Sequence, residues 1–135
     1  MTQEAFNPHE RLRQAQALVQ RTAEQLHELV AEMASALVPF PYFMGSIQVQ
    51  AVEAEPGGVQ RADRGCIVVC PDGELYEFTM KVQAQGPFDA GLDRDDSVKP
   101  VELPPEEYVV YALNAIKELG ALLEEQRARA RKYSF

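Results

Sequence analysis

Two histidines and two cysteines are all this 135-residue chain holds of two side chains that often carry nucleophilic or metal chemistry. Both histidines, His9 and His27, fall in one N-terminal segment of helical periodicity. Neither a Gly-x-Ser-x-Gly turn nor a phosphate-cradling glycine loop occurs, so nucleophilic catalysis and nucleotide binding find no support. No apolar run approaches the ~20 residues of a membrane-spanning helix. The start, Met1 to Phe6, lacks the basic and apolar regions of a signal peptide, which makes a cytoplasmic location the expectation. Positive charge is scarce too: 13 Lys and Arg stand against 21 Asp and Glu, a formal charge of −8. An acidic surface repels phosphate backbones, so nucleic acid is not the expected partner, and neither is a membrane.

What is present is an ordinary globular composition, 46% apolar and 25% charged, of a length that suits one domain. The clearest local signal is Gly65 to Val82, which reads as a β-hairpin. Pro71 presets φ for a turn, Asp72 suits its second position, and Gly73 can adopt the positive φ that follows. A three-residue loop there sets Val68 opposite Tyr76 and Cys66 opposite Phe78. Alternation then gathers Cys66, Val68, Cys70, Tyr76, Phe78, Met80 and Val82 on one apolar face, the expected core side. The other face mixes Ile67, Val69 and Leu75 with Glu77, Thr79, Lys81 and Gln83. Such a half-apolar face suits partial cover by a loop or a partner.

Upstream, Asn7 and Pro8 make a helix start, and the helical pattern runs over 8–37. Leu12, Ala15, Val19, Thr22, Leu26, Leu29, Met33 and Ala36 follow a 3-4 spacing, a heptad seam. Pro39 and Pro41 stop the helix and open an apolar connector with Phe40, Tyr42 and Phe43. The alternation of Ile47, Val49 and Ala51 against Gln48 and Gln50 predicts a strand over 45–54. The stretch 84–104 reads as an irregular acidic loop, long for a compact domain. Pro105, Glu106 and Glu107 open a second helix over 105–131. The expected fold is therefore α+β in two layers: a long helix, a three-stranded antiparallel meander over 45–83, and a second long helix.

Each chemical candidate has a plain structural reading. Cys66 and Cys70, four apart in a strand, are too distant for a disulfide or a shared metal and suit packing. Glu24 and His27 have the Glu-x-x-His spacing of di-iron bundles, but the seam turns them and Glu28 outward. Asp89, Asp93, Asp95 and Asp96 lack EF-hand spacing. Arg127, Arg129, Arg131 and Lys132 suit a helix C-terminus complementing its own dipole. No catalytic, cofactor-binding or metal-ligating residue is singled out, and no cofactor is expected.

A helix of some 30 residues reaches about 45 Å, whereas three strands span only ~14 Å across. The overhanging seam predicts self-association, most simply a homodimer. The leading expectation is a non-enzymatic, acidic, homodimeric interaction or adaptor protein whose protein partner is unknown. The candidate surface is Ile67, Val69, Leu75, Phe40, Tyr42, Phe43, Phe88 and Leu92. A second expectation, from another class, is a small-molecule or cation binder, or an enzyme, using 84–104 as a lid. A third is nucleic-acid association through the basic tail. In element order alone the chain resembles small dimeric nucleoid-associated proteins, and its first half resembles acidic dimeric secretion chaperones.

Overall fold

The computed structural model describes residues 6–57, 64–84 and 92–133. Helix α1 spans Pro8–Ala36. The Asn7 side chain accepts hydrogen bonds from the backbone N–H groups of His9 and Glu10, at 3.1 and 3.2 Å, so the cap read from sequence forms. The sheet contains β1 (Val52–Glu53), β2 (Cys66–Val69), β3 (Leu75–Ala84) and β4 (Leu92–Pro100). All neighbours are antiparallel, in the order β1-β2-β3-β4. Helix α2 spans Pro105–Lys132. The arrangement is α+β with a helix at each end, as expected, but with one more strand.

That strand corrects the reading of 84–104 as irregular. β4 pairs with β3 over nine residues, from Tyr76 opposite Pro100 to Ala84 opposite Leu92. Its sequence is rich in Asp and poor in β-branched residues, so intrinsic preference gives little warning; the ladder to β3 sets its conformation. A second correction concerns 45–54. Only Val52 and Glu53 join the sheet there. Before them lie a one-turn 3-10 helix at Phe43–Gly45 and an isolated bridge from Tyr42 to Gln50.

The β2–β3 turn forms as its chemistry dictates. Gly73 has φ +80°, its N–H donates to Cys70 O at 2.9 Å, and Cys70 N–H donates to Glu74 O at 3.1 Å. Val68 lies opposite Tyr76 and Cys66 opposite Phe78. The faces, however, are exchanged. Ile67, Val69 and Leu75 pack beneath the helices with Val30, Ala34, Leu37, Ala112, Ala115 and Leu119. Val68, Cys70 and Phe78 face away from the helices and are covered by Phe43, Val49 and Ala51 of the connector. Ile67, Val68 and Val69 are each 0% exposed, so β2 is buried on both faces.

The connector is pinned by its own polar groups. Ser46 Oγ accepts from Val49 N–H at 3.0 Å, and Phe43 N–H donates to Val49 O at 3.0 Å. It is also tied to the edge strand, because Arg94 donates to Met44 O at 3.0 Å and Gln48 Oε1 accepts from Asp96 N–H at 2.8 Å. The Phe43 and Phe78 rings meet edge to face, with centroids 4.8 Å apart.

The two helices run side by side in the same direction. Val19 and Gln20 border one hollow with Pro105 and Glu106, the methyl of Met33 approaches Gly120, and Gln126 bonds to the end of α1. Its amide donates to Ala36 O at 3.0 Å and accepts from Val38 N–H at 2.9 Å, a clasp for two groups the helix end leaves unpaired. The first ten or so residues of α1 therefore extend past the start of α2, and the last two turns of α2 extend past the end of α1.

Candidate functional site: the outer face of the helical layer

Most residues expected to form a contact surface are inside. Ile67, Val69, Leu75 and Phe40 belong to the helix-side core, and Phe43 to the connector-side core. This overturns their assignment as surface. A strand with apolar residues on both faces does not reveal which face the helices cover, and here the connector covers the second. Tyr42 is exposed. Leu92 opens β4 opposite Ala84, and Phe88 lies outside the described residues. With 92–100 built into the sheet, 84–104 is not one long lid.

The titratable candidates resolve into structural roles. Cys66 is half-buried, with Sγ 3.9 Å from Glu53 Oε1, and burial followed by the nearby Glu53 and Glu55 pushes its thiol up to about 12. Burial, with a smaller contribution from Asp72, also pushes the Cys70 thiol up to about 12. Neither thiol is poised as a nucleophile, which requires a depressed value. His27 reaches across to the hairpin, with Nε2 2.6 Å from Glu74 Oε1. Glu24 instead accepts from Gln20 Nε2 at 3.1 Å, so the Glu-x-x-His pair does not converge. Among the described residues no group of three His, Cys, Asp or Glu could hold a metal ion, and no helix is long and apolar enough to cross a membrane.

Two polar clusters had escaped sequence reasoning. Arg64, just before β2, donates to the Tyr111 hydroxyl and lies over its ring at 5.1 Å from the centroid, with the buried Glu55 carboxylate 3.9 Å away. Glu55 also accepts from Ile67 N–H at 3.2 Å, so Arg64 and this carboxylate together link Tyr111 of α2 to the start of β2. Asp96 accepts from Arg94 Nε at 2.8 Å, and that guanidinium holds its carboxyl below the usual range. The first cluster joins residues 47 apart in sequence, and no local pattern announces it.

The open surface is on the helices, where the predicted seam proves to be two seams side by side. Val19, Ala23, Leu26, Val30, Met33 and Leu37 turn inward, buried or half-buried. One position round the helix, Arg11, Ala15, Leu18, Thr22, Gln25, Leu29, Glu32 and Ala36 repeat at 4-3 spacing and every one is exposed. Leu18 is 56% and Leu29 47% exposed. On α2, Val110 and Leu113 are 51% and 54% exposed. Leu18, Val19 and Thr22 line a groove of about 210 Å³ with Glu106 and Val109 of α2, so the two helices share this face. Full burial of a leucine stabilises by ~1.5–3 kcal/mol; leaving each of these half wet forgoes about 1 kcal/mol. A complementary helical surface would recover it. The tail residues Arg127, Arg129, Arg131 and Lys132 are exposed at the end of α2, with Arg127 3.6 Å from Glu124, and they complement the helix C-terminus.

Comparison with protein-family models, with curated proteins and with solved structures returned no match.

Proposed function

We propose that the protein is a non-enzymatic homodimeric interaction protein that works through the outer face of its helical layer. The observation that carries this reading is the set Leu18, Leu29, Val110 and Leu113, four large apolar side chains about half exposed on one pair of helices. Single apolar side chains on a surface are ordinary, but a rimmed apolar face on adjacent helices marks a contact site. The rim is polar: Gln14, Arg21, Glu28 and Lys117 are all exposed. Sedimentation equilibrium at micromolar concentration tests the reading. A mass of twice 15.1 kDa is the expected result, and a monomer throughout would refute it.

A further inference from the structure

Resting on the homodimer reading, we infer that a second copy of this chain covers the helical layer with the two α1 helices antiparallel, forming a four-helix interface about a two-fold axis. The exposed α1 stripe is self-complementary in that direction. With the axis passing between Thr22 and Gln25, Leu18 meets the partner's Leu29, Thr22 meets the partner's Gln25, and Ala15 meets the partner's Glu32. The Leu18–Leu29 contact forms twice by symmetry. One residue away from the stripe, Arg21 comes beside the partner's Glu28, again twice.

Charge selects this direction. From Pro8 to Thr22 the charged side chains are Glu10, Arg11, Arg13 and Arg21, whereas from Ala23 to Ala36 they are Glu24, Glu28 and Glu32. The basic half of one copy therefore lies along the acidic half of the other. A parallel pairing would instead stack like charges of the stripe, Arg11 on Arg11 and Glu32 on Glu32. No ion pair among the described residues engages Arg21 or Glu28 within the chain.

Position and area agree independently. Val19 beside Glu106 and Met33 beside Gly120 fix the stagger of the two helices. That stagger brings the exposed Val110 and Leu113 level with Thr22 and Gln25, so the apolar residues of α2 fall at the same axis. About this axis α1 overlaps its copy over about 39 Å and α2 over about 19 Å, each about 10 Å wide, which offers roughly 600 Å² per copy, at the lower edge of a standard interface.

Charge reversal tests the register in the intact chain. Arg21→Glu and Glu28→Arg are each expected to weaken dimerisation roughly 30-fold, because two symmetric pairs turn from attraction to repulsion. The double variant R21E/E28R is expected to return within about threefold of the parent, since both pairs are restored in reverse. Leu18→Asp should leave a monomer with unchanged circular dichroism, because the residue is exposed. A parent chain that sediments as a monomer overturns both this geometry and the homodimer reading. A dimer indifferent to R21E, E28R and L18D overturns this face alone and leaves the homodimer reading standing. Loss of dimer in both single variants without recovery in the double variant overturns the antiparallel register.

Discussion

Replacing Gly73 by alanine is expected to destabilise the protein by about 2–5 kcal/mol, from two separable causes. Gly73 has φ +80°, where a Cβ adds ~1–2 kcal/mol of strain. The same Cβ would stand 2.6 Å from Ala31 Cα and 3.0 Å from Ala31 Cβ, on the backbone of α1. Neither atom can swing aside as a long side chain would, so turn and helix must part. Overpacking of this kind costs ~1–3 kcal/mol. Gly45 supplies the control. Its φ is +72°, yet a Cβ there meets nothing nearer than a guanidinium nitrogen of Arg94 at 3.9 Å. Gly45→Ala should therefore show the strain alone, ~1–2 kcal/mol. Urea denaturation of both variants gives the comparison, and thermal melting should fall by about 6–15 °C for Gly73→Ala. Equal losses for the two variants would refute the claim that the hairpin turn rests directly on α1.

Three further outcomes are expected. Gln126→Ala removes the clasp on Ala36 O and Val38 N–H; because water reaches both groups, the loss should be about 1 kcal/mol by urea denaturation. Glu77 is held below its usual range first by the Gly65 N–H at 2.6 Å and then by Lys99, and Asp96 by Arg94. A lowered folded value gives stability that is present above the ordinary carboxylate range and lost as pH falls through the folded value. Glu77→Gln and Asp96→Asn should each flatten the acid limb of a stability–pH curve and leave its slope at neutral pH unchanged. Finally, thiols pushed up to about 12 should react with iodoacetamide at neutral pH on the order of 10² more slowly than a free cysteine, since the smaller thiolate fraction is partly offset by greater nucleophilicity, with both cysteines labelled rapidly once the chain unfolds.

The parts of this fold legible in the sequence are those decided by near neighbours. Asn7-Pro8 caps α1 because the cap bonds reach only His9 and Glu10, and Pro71-Asp72-Gly73 fixes the β2–β3 register within its own turn. What was not legible depends on distant contacts. Asp93 to Ser97 becomes strand only by pairing with Thr79 to Gln83. The placement of Ile67, Val69 and Leu75 under the helices, with Val68 and Cys70 under the connector, needs knowledge of what covers each face. The α1 seam was half legible. Its period was plain, but a single stripe of Leu12, Ala15, Val19, Thr22, Leu26, Leu29, Met33 and Ala36 straddles an inner and an outer face. Leu18 and Leu29 stand clear only once Ala23, Val30 and Leu37 are seen to be the residues that turn inward. The candidate site was visible as an excess of apolar surface, and its location was not.

The parallel course of α1 and α2 has a consequence for how the chain can be connected. It places the first and last described residues at opposite ends of a rod. In the proposed antiparallel dimer, the end of one chain would come to about the same height as the beginning of the other. Two copies joined head to tail by a flexible linker of about ten Gly and Ser residues, with a reach of roughly 17–19 Å, should fold as one tandem polypeptide. Its stability should no longer depend on concentration, because the second copy is always at hand. A protein whose two long helices ran in opposite directions would bring its own ends together and could not be joined in this way.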